Sequence, residues 1–255
     1  EFSEGLAPVR TQSAWGYINE TGRTCVQLGE RYTEVYELTG GMAAVLRGQD
    51  MGFIDKQGRE VIKPQYALAF AFTEGVASVT KQGGGSVFID KAGKQVFPEY
   101  APTRDGFSEG LAAVFRIAAG GNLLKRMGYI NHEGKLVIPC EYTVANKCTE
   151  GIVTVSKDGA WYGLDPMGAV KISGSFQSLY PFSEEPAQAK LNESWGFIDK
   201  SGKVVIPAKF EACGWFSEGL AGVKMGGKWG FIDKTGKVVI EPQFTIPASW
   251  EKMKN

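Results

Sequence analysis

The sequence predicts an all-β repeat protein, and three observations support this fold class. A signature ending in Asx-x-x-Gly returns seven times along the 255 residues, and a second one, close to Phe-Ser-Glu-Gly-Leu-Ala, precedes each copy. Both recur about every 34 residues, a period that is typical of arrays, propellers and solenoids. In addition, no part of the unit carries a sustained helical period.

The two signatures divide the chain into a single repeat domain, residues 1–255, with seven copies. Successive Asx residues lie 36, 35, 41, 34, 34 and 34 residues apart. The pairs are Asn19/Gly22, Asp55/Gly58, Asp90/Gly93, Asn131/Gly134, Asp165/Gly168, Asp199/Gly202 and Asp233/Gly236. The predicted copies one to seven are residues 2–37, 38–71, 72–106, 107–147, 148–181, 182–215 and 216–249.

Copy seven shows the predicted hairpin most clearly. Trp229, Phe231 and Asp233 alternate with smaller or aliphatic residues, which is the period-two pattern of a strand. Asp233 is expected to accept hydrogen bonds from the backbone of the next turn, and Gly236 to supply the positive φ angle that closes it. The β-branched residues 238–240 then form the partner strand.

Two more segments complete the unit. Residues 220–223 form a strand of small apolar residues, and a weaker fourth segment runs from Phe210 to Phe216. The strand after the turn is expected to end, or to become an edge, at Pro242, because proline cannot donate to a ladder.

The sequence around each turn resembles the bacterial WG-repeat (KWG) family over essentially the whole chain. The resemblance is carried by Trp195-Gly196-Phe197-Ile198-Asp199 and Trp229-Gly230-Phe231-Ile232-Asp233, and copy one keeps Trp15-Gly16. The other copies depart from it as Met51-Gly52, Ser86-Val87, Met127-Gly128 and Trp161-Tyr162-Gly163. The resemblance implies a module of β-repeats whose function is mostly unassigned.

A unit of three or four short strands cannot cover its own faces, so neighbouring copies must stack. We predict a seven-bladed β-propeller, because propellers have about four to eight blades of four strands. An open β-solenoid of stacked hairpins is the alternative. Trp250 marks the start of an eighth unit while Phe2 already fills that role in copy one, and a ring has room for only one of them.

Composition argues against several classes of partner. The chain has 28 acidic and 28 basic residues, so no charge pattern favours nucleic acid. No apolar run reaches the roughly 20 residues of a membrane span. The chain opens on Glu1 inside a repeat, without a signal-like stretch. We therefore expect a mature form or an excised domain, and both cytoplasmic and exported locations remain open.

The four cysteines are expected to be free thiols. Cys25 and Cys148 occupy apolar positions of the repeat and are predicted to be buried. No Cys-x-x-Cys spacing links these two with Cys140 and Cys213, which argues against a zinc site. A Cys140–Cys148 disulfide is the alternative.

No catalytic, metal or cofactor site is predicted, and we expect the protein not to be an enzyme. His132 is the only histidine, and it lies in a turn without a neighbouring nucleophile. Each Asx turn offers a single carboxylate, which suits calcium poorly. Residues 83–85 are three glycines without the lysine of a phosphate loop.

The repeated tryptophans are interpreted as core, because Met replaces them twice and substitutes well for packing. Trp215 and Trp250 differ, because they lie in the irregular fourth segment and are candidate exposed residues. In a propeller the charged turns would lie on one face. They are interpreted either as solvated turns or as a recognition surface. These residues are Lys56, Lys91, Lys200 and Lys234 with Glu4, Glu74, Glu109, Glu150, Glu184 and Glu218.

Copy four is seven residues longer than the basic unit, and the extra length lies in Arg116–Arg126. This segment places Leu123 and Leu124 between Arg116 and the pair Lys125-Arg126. Insertions in repeat proteins are often binding loops. Neutral drift in loop length is the alternative, because longer loops cost little.

Taken with the absence of any polar cluster, these observations predict a non-enzymatic scaffold that binds another protein. A glycan- or cell-wall-binding module of the bacterial surface is the alternative, because the chain is rich in aromatic residues. An enzyme with carboxylates converging at a ring's centre is a third, disfavoured reading, because function is argued from a site. The predicted binding residues are Arg116, Leu123, Leu124, Lys125, Arg126, Trp215 and Trp250.

Overall fold

The computed structural model describes residues 2–12 and 14–245. Every regular element within them is a β-strand, which confirms the all-β prediction. The chain divides into two compact units, Glu1–Cys140 and Glu141–Asn255.

The first unit contains the three sheets that copies one to four build. Their orders are β1-β2-β3, β10-β9-β8-β7-β6-β5-β4 and β11-β12-β13-β14. The strands are β1 (Leu6–Thr11), β2 (Ala14–Asn19), β3 (Thr24–Gly29), β4 (Glu34–Thr39), β5 (Met42–Arg47), β6 (Asp50–Asp55), β7 (Glu60–Ala69), β8 (Val76–Lys81), β9 (Ser86–Asp90), β10 (Gln95–Val96), β11 (Tyr100–Ser108), β12 (Leu111–Ile117), β13 (Leu123–Asn131) and β14 (Leu136–Tyr142).

The second unit contains three four-stranded sheets, one for each of copies five to seven. Their orders are β15-β16-β17-β18, β19-β20-β21-β22 and β23-β24-β25-β26. The strands are β15 (Val144–Ala145), β16 (Val153–Lys157), β17 (Ala160–Leu164), β18 (Val170–Ser173), β19 (Ser178–Leu179), β20 (Ala187–Leu191), β21 (Ser194–Ile198), β22 (Val204–Phe210), β23 (Ala212–Cys213), β24 (Leu220–Met225), β25 (Lys228–Asp233) and β26 (Val238–Phe244).

The Asx turns have the predicted geometry in all seven copies. In each, the side-chain Oδ1 accepts hydrogen bonds of 2.9–3.1 Å from the backbone N–H groups two and four residues ahead. The glycine that follows has a φ angle of 74–88°. Asn or Asp therefore fixes the turn, and glycine closes it.

The glycine of the Trp-Gly pair has a separate role, because it lets the outer strand approach closely. A Cβ atom on Gly230 would lie 2.5 Å from the carbonyl oxygen of Ile240 and 2.7 Å from the nitrogen of Pro242. The β25–β26 ladder shifts register at this point. Strand β26 continues through Pro242 as the edge of its sheet, as predicted for a strand with an internal proline.

Copy three shows what happens when this glycine is missing. Its outer strand β10 pairs only Gln95 with Ile89 and Val96 with Phe88. Pairing therefore stops one residue before Val87. In copies one, two, four, six and seven a Cβ at this position would meet the backbone of the outer strand, whereas copy three has Val87 there and an outer strand β10 of only two residues.

Within each unit, aromatic residues join neighbouring copies. The first residue of one copy packs against the central aromatic residue of the copy before it. The ring centroids of Phe72 and Phe53 are 4.8 Å apart, those of Phe107 and Phe88 5.7 Å, and those of Phe216 and Phe197 5.0 Å. All six side chains are buried. The stacking expected from the repeat is thus present between these copies.

The tryptophan and cysteine predictions are only partly correct. Trp229 is buried, whereas Trp15, Trp161 and Trp195 are half-buried. All four cysteines are free thiols, and Cys148 is buried. The prediction that Cys25 is buried is wrong, because its position faces outward on the outer strand. Val61 occupies the equivalent position in copy two and is exposed as well.

Candidate functional site

The Ser-Glu-Gly turns place a glutamate in an unusual backbone conformation. Six glutamates have positive φ angles of 49–53°, and a glycine with positive φ follows five of them. In copy one, Ser3 and Leu6 exchange backbone hydrogen bonds of 2.9 and 3.0 Å across the turn. Such two-residue turns favour Asn-Gly, because most side chains resist the left-handed region. The glutamate needs another reason to be there. The six are Glu4, Glu74, Glu109, Glu150, Glu184 and Glu218.

Two of these glutamates show the reason, because each reaches forward to the next copy. The carboxylate of Glu4 accepts from the backbone N–H of Gly41 at 3.1 Å and from Lys56 Nζ at 2.8 Å. These contacts, with that from Lys56 the larger, hold the pKa of Glu4 below its ordinary value. We call this arrangement the glutamate clasp.

Glu184 forms the same clasp in the second unit. It accepts from the backbone N–H groups of Glu218 at 2.9 Å and Gly219 at 3.0 Å, and Lys234 Nζ lies 3.4 Å away. The backbone hydrogen bond from Gly219, followed by that from Glu218, lowers the pKa of this carboxyl group. A glutamate in this turn thus stabilises the neighbouring turn.

Two further clasps repeat the pattern with variations. Lys200 lies 3.1 Å from Glu150, and His132 replaces the lysine opposite Glu74, with Nε2 2.8 Å from Oε2. The imidazole of His132 also stacks on Phe107, with centroids 4.2 Å apart. His132, predicted to be only a turn residue, therefore joins two copies. In the three clasps that contain a lysine, opposite charges of the turn face pair with each other.

The insertion of copy four is an extension of a hairpin. Strands β12 and β13 continue to the pair Ile117–Leu123, and the N–H of Ala118 donates to the carbonyl of Asn122 at 2.8 Å. Leu123 is 54% exposed and Leu124 44%. The β12–β13 ladder shifts register between Phe115 and Ile117, so Leu124 lies in an irregular stretch of β13 beside the paired Leu123.

The basic residues of the insertion lie on the same hairpin. Lys125 is exposed and Arg126 is half-buried in the irregular stretch of β13. Arg116 is exposed on β12 and is paired across the sheet with Tyr100. The predicted binding residues of copy four thus lie together on one hairpin.

Trp215 borders a groove in the second unit with a volume of about 400 Å³. We call it the Trp215 groove. It lies between the fourth segments of successive copies, where the backbone is irregular. Trp250, the other predicted aromatic residue, lies outside the described residues. The groove is lined by Lys147, Thr149, Tyr180, Pro181, Phe182, Ser183 and Trp215.

The Trp215 groove combines exposed aromatic rings with a single charge. Trp215 is 64% exposed and Tyr180 39%. The Tyr180 ring is held 5.5 Å from that of Trp195, and the buried side chain of Phe182 also lines the groove. Lys147 is the only charged residue in the lining. The sequence indicated Trp215, but not the neighbours that complete the groove, because they come from three copies.

A groove of related position but different chemistry occurs in the first unit. We call it the Tyr36 groove. Its volume is about 540 Å³, and its lining includes Tyr36, Glu37, Leu68 and Phe70. Tyr36 and Leu68 are exposed. The last residue before a new copy begins lines both grooves. This residue is Glu37 in the Tyr36 groove, whereas Lys147 and Trp215 hold this position in the Trp215 groove. The two grooves therefore differ in charge.

Among the described residues, no group of three or more His, Cys, Asp or Glu side chains is arranged to hold a metal ion. In the same part of the chain, no helix has the length and apolarity to cross a membrane.

The stacked hairpins, their Asx turns and the close-packed Trp-Gly glycines define a class of β-repeat protein. The chain belongs to the WG-containing repeat family, whose model matches residues 15–49, 51–84, 127–161, 195–229 and 229–245. The resemblance seen in the sequence is confirmed. A search of curated proteins finds no match.

Solved structures with this fold are β-propeller proteins. The chain is similar to a eukaryotic initiation factor, at 12% identity and a TM-score of 0.58, over 94% of this chain and 74% of the other. It is also similar to Hsv2 from Kluyveromyces marxianus, at 10% identity and a TM-score of 0.50, over 97% and 98%. These likenesses show a propeller-like fold alone. Ring closure and the open solenoid stay predictions.

Proposed function

We propose that this protein is a non-enzymatic scaffold that binds another protein through the Trp215 groove. The observation that carries the proposal is the exposure of Trp215 beside Tyr180 at the rim of a concave surface. Trp and Tyr are enriched among the residues that supply most interface energy. Repeat arrays also provide rigid, extended surfaces for such contacts.

The charged turn face supports the proposal indirectly. It was the other large candidate for recognition, but Lys56, Lys200 and Lys234 pair with glutamates of preceding copies. A partner that used these charges would have to break contacts that join the copies. The Trp215 groove carries no such cost, because its rings already face solvent.

The test compares capture of partner proteins by the wild type and Trp215→Ala. We expect proteins retained from a lysate of the source organism, identified by mass spectrometry, to be lost with the variant. Binding of the purified partner should weaken at least about tenfold, as is usual for a dominant aromatic contact. Tyr36→Ala is the matched control, because it removes an exposed aromatic residue from the Tyr36 groove. Equal binding by wild type and Trp215→Ala would overturn the proposal.

Glycan binding is the second candidate, and exposed Trp215 is the observation that favours it, because an indole face also stacks on sugar rings. Immobilised cell-wall polysaccharide would then retain the wild type but not Trp215→Ala. Retention of both or of neither would count against a glycan site in this groove.

A further inference from the structure

The charge of the Trp215 groove indicates the chemistry of its ligand. Lys147 is exposed, and it has no ion-pair partner among the residues that the structure describes. None of the residues that line the groove is Asp or Glu. A cation without a partner, in a wall without acids, is complementary to a negatively charged group.

We propose that the Trp215 groove binds an extended acidic segment of a partner protein. One apolar or aromatic side chain of that segment packs against Trp215 and Tyr180, and a carboxylate beside it pairs with Lys147. This inference rests on the proposed function and specifies the partner's chemistry.

The aromatic part of the groove suits one large side chain. Tyr180 is held against Trp195 on one side, and the buried Phe182 also lines the groove. Trp215 supplies the remaining apolar surface, most of which faces solvent. A rigid aromatic site of this kind loses little conformational entropy when a side chain enters.

The hydrogen-bonding groups of the groove favour a peptide over a sugar. A sugar ring presents several hydroxyl groups, which planar carboxylate and amide side chains bind well, and the lining has neither type. Of its hydroxyls, Ser183 Oγ already donates to the carbonyl of Phe216 at 3.4 Å. Thr149 Oγ1 is buried and has no hydrogen-bond partner among the described residues, so it does not face a ligand in the groove. This leaves the hydroxyl of Tyr180 in the lining, and one hydroxyl suits a single backbone group of an extended chain.

The experiment measures binding of fluorescein-labelled seven-residue peptides to the full chain by anisotropy. Three peptides share a central Leu-Pro-Tyr core, flanked on both sides by Asp-Glu, Asn-Gln or Lys-Arg. We expect the acidic peptide to bind at least tenfold more tightly than the amide peptide, and the basic peptide not to bind. Raising NaCl from 50 to 500 mM should weaken the acidic complex several-fold, because salt screens the Lys147 contact.

Three variants locate the site. Trp215→Ala should weaken the acidic peptide at least tenfold, and Lys147→Gln about fivefold. Lys209→Gln is the matched control and should change nothing, because Lys209 lies outside the lining, over the ring of Phe210. Circular dichroism confirms that each variant is folded.

The outcomes separate this inference from the proposed function. The inference of an acidic segment would be overturned by equal affinity for the acidic and amide peptides, by no binding of any peptide, or by no effect of Lys147→Gln. If binding of the purified partner still required Trp215, the proposed function would stand although this inference had failed. If neither peptide nor partner depended on Trp215, both would fall. Tighter binding of a polygalacturonate oligomer than of the acidic peptide would overturn the inference in favour of a glycan.

Discussion

The repeat structure needs glycine at two kinds of position, and the physical reason differs between them. Gly236 adopts a backbone conformation that other residues resist, with φ of 82°. Gly230 has an ordinary backbone conformation, but the outer strand leaves no room for a side chain above it. The first role follows from a local pattern in the sequence. The second depends on where another strand passes.

Replacing Gly230 by Ala tests the close approach. The new methyl group would lie 2.5 Å from a backbone oxygen, so β26 must shift. We expect a loss of about 1–3 kcal/mol in the free energy of unfolding, as for overpacking, measured by urea denaturation. Gly222→Ala is the control in the same sheet, because its Cβ would meet only side-chain atoms at 3.6 Å or more. Equal stability of both variants would contradict the explanation.

Replacing Gly202 or Gly236 by Val tests the turn. Both glycines have φ above 80°, and a Cβ on them would lie 3.0–3.1 Å from Ile172 or Ile206 of the preceding copy. We expect each substitution to cost roughly 1–3 kcal/mol, because a β-branched residue resists positive φ. Thermal unfolding measures the loss. Gly236→Asn should cost less, since Asn tolerates this region, and unchanged melting of both Val variants would refute the assignment.

Residue roles within a copy could be read from the sequence better than roles between copies. The Asx–Gly turns were predicted in all seven copies, because their hydrogen bonds are local. The exposure of Cys25 was missed, because burial on the outer strand depends on which neighbour covers it. The partnership of Glu4 with Lys56 was missed because the two residues lie 52 positions apart and belong to different copies.

At the scale of elements, two copies depart from the repeat. Copy three has Val87 in place of the glycine and a short outer strand β10, and the insertion of copy four lengthens the β12–β13 hairpin. The sequence located both departures. It did not indicate that the insertion continues a ladder, because its Gly-Gly-Asn turn lacks flanking strand patterns of its own.

Trimming the hairpin tests whether it has a structural role. Residues 116–126 are reduced to the length of residues 224–228 in copy seven. We expect the melting temperature to change by no more than a few degrees, because the tip beyond Ile117 pairs only with itself. Circular dichroism measures the melt. Loss of the folded signal would show instead that the hairpin supports its sheet.

The same trimmed variant tests the predicted binding residues of copy four. If Leu123 or Leu124 anchors a partner, capture of that partner should fall with the trimmed chain. Leu123→Ser and Leu124→Ser made separately then show which leucine is the anchor. Undiminished capture by the trimmed chain would leave the Trp215 groove as the binding surface.

At the scale of the whole molecule, the glutamate clasps make stability depend on pH. The pKa values of Glu4 and Glu184 are lowered in the fold by their hydrogen bonds to the next copy. The unfolded chain therefore binds more protons as pH falls through the ordinary glutamate pKa of about 4.3. Their stabilisation is present above that pH and is lost as pH falls through the lowered values.

The double variant Glu4→Gln/Glu184→Gln tests this dependence. At pH 7 we expect it to unfold at a lower urea concentration than the wild type, because the amide cannot form the ion pairs with Lys56 and Lys234. As pH falls to 3, the two midpoints should converge, because the wild-type carboxylates become neutral. Glu241→Gln, for which the structure records no clasp, is the control. A difference of constant size at both pH values would show that the carboxylate charge is irrelevant.

The glutamate clasp also has a consequence for how such a chain changes in length during evolution. Each clasp runs forward, so its acceptor and its donor are encoded in adjacent repeats of the gene. An in-frame duplication of copy six would give two successive copies. The glutamate equivalent to Glu184 in the first would face the lysine equivalent to Lys200 in the second. The new junction would form without any compensating mutation. Duplication of copy two would not, because Gly40 stands where the glutamate belongs. We therefore expect a duplication of copy six to be tolerated better than a duplication of copy two.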